Sequence, residues 1–193
     1  MKVSYWKYDP EFIAELAGFL RGKKVLEVFA GNGLLSHYLH EMGVDIKPTT
    51  LFATHDGHQS WCNPAVEELS ATDAILRFGE NSDVLLMSWP EVSQDALRAA
   101  LDFFSTENAS LKKLIFIGER TRLESGILGG CATDEFFACF PEGVVYQRLR
   151  YKGNLIEVAE VLSCPSKESI SHFRKVVERK GSSRFGMDFL RPR

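Results

Sequence analysis

The stretch Val25-Leu26-Glu27-Val28-Phe29-Ala30-Gly31-Asn32-Gly33-Leu34-Leu35 constrains the fold of this chain more than any other. Val25 to Phe29 is a short apolar run that stops at a turn of small residues, which reads as a buried strand. Leu34, Leu35, Tyr38, Leu39 and Met42 then recur at helical spacing, and Gly43 closes that helix. A strand running through a glycine turn into a helix belongs to an open α/β sheet, whose ligands lie beyond the carboxyl ends of the strands. Glycines let the backbone approach a ligand and take positive φ. The helix start leaves N–H groups free. Glu27, a carboxylate at the strand end, can receive an ammonium group or a hydroxyl.

The rest of the chain repeats that alternation. Asp9 and Pro10 start a helix carrying Phe12, Ile13, Leu16, Phe19 and Leu20. Val44 to Phe52 reads as a second strand, with Pro48 arguing against a paired central position. Ala65 to Leu69 is a short third strand, and Thr72 or Asp73 is the expected cap of the helix after it. Asp83 to Met87 and Leu114 to Ile117 are the fourth and fifth strands, with a helix holding Ala96, Leu97, Ala100, Leu101 and Phe104 between them. Such alternation predicts parallel strands joined by right-handed crossovers. Val144 to Tyr151 and Leu155 to Leu162 read instead as an antiparallel hairpin. The expected fold is α/β: a Rossmann-like three-layer α/β/α sandwich, its mostly parallel sheet ending in an antiparallel hairpin. Residues 1–165 form the expected main domain, and 166–193 a basic C-terminal helix and tail.

Composition narrows the function. The chain has 193 residues and a formal net charge of −3, which suits one domain and gives no overall footprint for nucleic acid. Nothing at the start resembles a signal peptide, no apolar run is long enough for a membrane span, and no two of Cys62, Cys131, Cys139 and Cys164 are spaced as C-x-x-C. The expectation is a cytoplasmic protein with free thiols and no membrane partner.

The segment from Val25 to Leu35 resembles motif I of the class I, S-adenosylmethionine-dependent methyltransferases in its strand, acid, glycines and helix start. The resemblance implies S-adenosyl-L-methionine as cofactor. Glu27 would lie beside its methionine end, with Phe29, Ala30, Gly31, Asn32 and Gly33 as the turn around it. Phe29 stands where many members carry the first glycine, although a Phe-Ala-Gly-x-Gly form also occurs in some nucleic-acid methyltransferases. A nicotinamide-dinucleotide site fits less well: the third glycine of G-x-G-x-x-G falls at Ser36, and that pattern needs no acid at Glu27. An ordinary strand–turn–helix of another α/β fold is the plainer alternative.

Further candidates follow from position. Asp56, beyond the second strand, is the candidate ribose acid, against a turn-forming Asp before Gly57. Asp45 comes too early. Glu68, Ser70 or Asp73 lies near the adenine by analogy. His55, Asp56 and His58 lack a clear third and fourth ligand, so no metal is expected. Ser88-Trp89-Pro90 occupies the place where amino-methylating relatives carry Asn/Asp-Pro-Pro-Tyr/Phe, and its departures put N-methylation in doubt. No Pro-Cys turn stands there, which disfavours cytosine-carbon methylation. Glu119 is the candidate group for orienting or deprotonating an acceptor, with Ser88 and Trp89 beside it. Arg120 and Arg122 could pair with Glu119 or with an anionic substrate, and a solvated salt bridge is the plainer alternative. Gly126, Gly129 and Gly130 suggest a mobile lid, and Cys131 is a weak candidate nucleophile.

From Ser166 onward basic residues dominate: Lys167, Arg174, Lys175, Arg179, Lys180, Arg184, Arg191 and Arg193. A solvated basic face is favoured over a nucleic-acid contact. The leading expectation is a methyltransferase whose acceptor, a small molecule, protein or RNA, is unknown. The rival is a catalytically inactive methyltransferase-like module that holds the cofactor or a partner. A different nucleotide-binding α/β enzyme is the third.

Overall fold

A computed structural model describes residues 8–51 and 62–185. Its sheet has seven strands: β1 (Lys24–Val28), β2 (Asp45–Thr50), β3 (Glu67–Glu68), β4 (Val84–Ser88), β5 (Lys113–Glu119), β6 (Val145–Arg148) and β7 (Glu157–Ser163), in the order β3-β2-β1-β4-β5-β7-β6. The first five run parallel, whereas β7 is antiparallel to both β5 and β6. This is the expected Rossmann-like α/β arrangement, a mostly parallel sheet with an antiparallel end. Its strand order reverses between β1 and β4, which sets a crevice at their carboxyl ends.

The helices are α1 (Pro10–Leu20), α2 (Leu34–Glu41), α3 (Ala71–Phe78), α4 (Gln94–Phe103), α5 (Asp134–Cys139) and α6 (Lys167–Phe185). Alternation along the strands sorts their side chains into two layers. Val25, Val84, Leu86, Ile115, Ile117 and Val161 pack against α1 and α2. Leu26, Val28, Leu85, Met87, Leu114, Phe116 and Leu162 pack against α3, α4, α5 and α6. Both faces are covered, so the central strands read as unbroken apolar runs. By the same alternation Glu27 and Ser88 share the α1/α2 face.

Caps end the helices where short polar side chains meet free N–H groups. Asp9 accepts from the N–H groups of Glu11 and Phe12. Thr133 accepts from that of Phe136. The cap of α3 is Ser70, not the expected Thr72 or Asp73: its hydroxyl accepts from the Asp73 N–H at 3.1 Å and donates to the Asp73 carboxylate at 2.6 Å. The helix starts at Ala71, two residues before the start that a Thr72 cap would give, because Ala71 carries little hydrophobic signal.

Pro48 is a second correction. It sits inside β2 in register with Glu27, in a strand flanked on both sides. β3 is two residues long and begins level with Thr49, so no strand passes Pro48 on that flank. A residue without an N–H is tolerated where the ladder is open. Among the described residues no helix is long and apolar enough to cross a membrane.

Candidate functional site

Three strand ends meet at the crevice. Glu27 lies near the end of β1, Ser88 ends β4, and Glu119 ends β5. Phe29 and Trp89, which follow β1 and β4, both have positive φ, 60° and 54°. Bulky residues rarely take that conformation, and where they persist the surroundings over-determine them. For Trp89 the restraints are visible. Its own N–H donates to the Ile117 carbonyl at 2.7 Å, and the Pro90 carbonyl accepts from the Ala132 N–H at 3.1 Å.

The glycine turn is tied down by backbone. The Ala30 N–H donates to the Thr49 carbonyl, and the Gly33 N–H to that of Ala30. The Asn32 side chain accepts from the Leu34 N–H, and its carbonyl accepts from Cys62 and Asn63, where the chain returns to the turn. Gly31 and Gly33 have φ of 55° and 76°. A Cβ on Gly33 would stand 2.6 Å from the Val66 side chain and 2.8 Å from Cβ of Asn63. Gly33→Ala is therefore expected to destabilise the protein by about 2–4 kcal/mol, combining backbone strain with overpacking. Urea unfolding would show it as a lowered midpoint; an unchanged midpoint would mean the turn relaxes freely.

Glu27 is fully buried. Neither of its oxygens has a hydrogen-bond partner. Burial raises its pKa from 4.5 to about 8, with the Ser36 hydroxyl drawing it partway back. That hydroxyl donates to the Gly33 carbonyl and accepts from the Asn63 amide. Thr49 donates to the Glu27 backbone carbonyl at 2.9 Å. Ser36, Asn63 and Thr49 thus hold the turn and the acid in place, a task that sequence reasoning did not assign. The one available signal was Ser36, a polar residue where a dinucleotide turn has its third glycine. Trp89 Nε1 is a second buried polar atom without a partner. The Trp89 ring packs against the clusters on both faces of the sheet.

Glu119 is differently employed. Its carboxylate accepts from the Gly130 N–H at 2.7 Å, and the neighbouring Thr121 hydroxyl accepts from Gly129. A Cβ on Gly129 would lie 2.5 Å from the Glu119 carbonyl oxygen, and one on Gly130 2.7 Å from its carboxylate. These two glycines serve close packing against the end of β5, which corrects their reading as lid hinges. Arg120 is corrected too. Instead of facing Glu119 or a substrate, its buried guanidinium donates to Glu160 at 2.6 Å and to the Phe140 carbonyl at 2.7 Å. Arg122 lies 3.8 Å from Glu142. Cys131 is buried, which pushes its thiol up to about 11 and leaves it a poor nucleophile.

The remaining candidates separate. Glu68 is exposed at the end of β3. Ser70 and Asp73 are engaged with each other in the α3 cap. Asp45 lies at the opposite end of β2, level with Lys24. Asp56, His55 and His58 lie outside the described residues. Among those described, no group of three or more His, Cys, Asp or Glu could hold a metal ion.

No family model and no curated protein matches the chain. Several solved structures resemble it at low identity. A mutant of MtNAS in complex with S-adenosylmethionine is 15% identical, over 81% of this chain and 63% of that one, with a TM-score of 0.49. The S-adenosylmethionine-dependent methyltransferase SibL is 12% identical over 80% and 55%, at 0.47. A candidate tRNA (m1A22) methyltransferase of Streptococcus pneumoniae is 11% identical over 96% and 91%, at 0.47. The chain spans less than two thirds of the MtNAS and SibL chains. The fold assignment rests on strand order, and the chemistry must be argued from the strand ends.

Proposed function

We propose that the chain binds S-adenosyl-L-methionine across the carboxyl ends of β1, β2 and β4 and transfers its methyl group to an acceptor beside Ser88, Trp89 and Glu119. The observation that carries this reading is Glu27. A buried carboxylate with no partner and a pKa near 8 is out of balance by itself. A ligand ammonium beside it would restore its charge, because an opposite charge favours the ionised form. The residues therefore fit an amino-acid-bearing nucleoside. Glu27 would take the ammonium. Phe29, Ala30, Gly31, Asn32 and Gly33 would pass beneath the ligand, Asp56 would hold the ribose, and Glu68 would stand toward the adenine.

When bound, the cofactor supplies an electrophilic methyl group on a sulfonium. The chain's own contribution is position. Ser88 and Trp89 wall the space between cofactor and acceptor, and Glu119 orients the acceptor from the end of β5. Displacement at a methyl carbon needs alignment more than covalent help, so fixed strand ends suit it. Nucleic acid is not favoured as the acceptor, because α6 lacks a free basic face along part of its length: Arg174 pairs with Asp102 and Lys180 with Glu135.

The second reading is a module that holds the cofactor without transferring methyl groups. It is favoured by the Glu119 carboxylate, which is already engaged by the Gly130 N–H. Transfer of labelled methyl groups into cell extract would exclude it.

Thermal unfolding tests the cofactor. Ligands that bind only the folded state raise its stability by about 2.7 kcal/mol at a hundredfold excess over Kd. For a domain of this size that is roughly 5–10 °C. S-adenosylmethionine and S-adenosylhomocysteine are expected to give that shift, NAD and ATP to give none, and Gly31→Arg to abolish it. No shift with either adenosyl compound would defeat the proposal.

A further inference from the structure

Two side chains at the switch point keep buried polar atoms without partners, and they are complementary. Glu27 on β1 presents two acceptor oxygens, and Trp89 beyond β4 presents one donor, Nε1–H. Their neighbours are satisfied: Thr49, Ser36 and Asn63 bond around the turn, and Glu119 is engaged by Gly130. A buried polar group without a partner is destabilising, so one orphan of each kind at one crevice is a demand for a ligand with both kinds of group.

The two groups stand at the ends of neighbouring strands: Glu27 is level with Leu86, three residues before Trp89. Part of the Trp89 ring reaches the α1/α2-face cluster, on the side where Glu27 lies. The backbone hydrogen bonds to Ile117 and Ala132 hold the turn that carries the indole.

We infer that the Trp89 indole N–H is a specificity determinant that receives the carboxylate of a ligand's amino-acid end, while Glu27 receives the ammonium of the same group. This rests on the adenosyl reading above. It assigns Trp89 to discrimination between nucleosides with and without that end.

The test compares S-adenosylhomocysteine with 5′-methylthioadenosine, which lacks the amino-acid end, by calorimetry on the native chain and on Trp89→Phe. Phenylalanine keeps a ring and removes the donor. The native chain is expected to prefer S-adenosylhomocysteine, and Trp89→Phe to weaken that ligand at least about tenfold, as for a hydrogen bond to a charged group. Binding of 5′-methylthioadenosine should change by less than about twofold. Equal weakening of both ligands, or of neither, overturns the inference and leaves the cofactor reading intact. If neither nucleoside binds the native chain, both fall. Should Trp89→Phe fail to fold, the indole ¹⁵N–¹H signal of Trp89 in the native chain decides. It must move with S-adenosylhomocysteine and stay with 5′-methylthioadenosine; the same response to both refutes the assignment.

Discussion

Glu27→Gln is expected to stabilise the ligand-free protein increasingly as pH rises from 4 to 9. Burial holds the Glu27 pKa near 8 in the folded state against 4.5 for an ordinary carboxyl. Between those values the folded chain keeps a proton that the unfolded chain releases, so native stability falls with rising pH. Below 4.5 both states are protonated and the term vanishes; above 8 the loss is complete. At about 1.4 kcal/mol per pH unit the gap sets a ceiling of about 5 kcal/mol, and water entry on ionisation reduces it. Glutamine does not titrate. The difference in unfolding free energy between variant and native chain should therefore grow with pH across that window. Its slope is the readout, because any fixed cost of burying an amide cancels from it. Glu135 behaves oppositely: its bond to Lys180 lowers its pKa to about 2, and that stability is lost as pH falls. It is common to both proteins and drops out of the difference. With S-adenosylhomocysteine added, the order should reverse, since the variant lacks the charge that would hold an ammonium. A pH-independent difference would show that Glu27 ionises without penalty and that the site's orphan has been misread.

Arg120→Met is expected to be the most damaging single change at this end of the sheet, at about 3–5 kcal/mol. Glu160 is fully buried and is bonded by Arg120 at 2.6 Å and by Arg148 Nε at 3.0 Å. Removing Arg120 leaves a carboxylate short of one charge partner and the Phe140 carbonyl without its donor. The effect comes from breaking the pair, since a buried ion pair replaced whole is often neutral. Arg120→Met with Glu160→Gln should thus recover part of the loss. Denaturant midpoints for the two singles and the double complete the cycle. If Arg120→Met unfolds at the native midpoint, the pair is not the tie that holds β7 and α5 to the end of β5.

Local patterns carried much of this fold. The run from Val25 to Leu35 could be read as strand, turn and helix because its apolar spacing and glycines act within a few residues of one another. The closing hairpin was equally legible from Lys152-Gly153-Asn154 between two apolar runs, and its strands β6 and β7 do pair antiparallel. Asp9 was readable as a cap because a capping oxygen bonds only two or three positions along the chain. Ser70 was missed where three polar candidates stood together and only the start of α3 could choose among them.

What tertiary structure decided concerns pairs of groups far apart in sequence. Arg120 finds Glu160 forty residues away. No local pattern distinguishes that buried pair from a charge at a site, because the partner arrives only when β7 docks on β5. Gly129 and Gly130 look like hinges in a sequence, yet the Glu119 backbone presses against the first and the Glu119 carboxylate against the second. Pro48 was judged by a rule for central strands, and a two-residue neighbour relieved it. Glu27 shows the division within one residue. By itself the sequence determined that an acid stands at the strand end before a glycine turn. Only the packed sheet determined that this acid is sealed from water without a partner, since solvation is a property of the whole surroundings and not of the chain's local order.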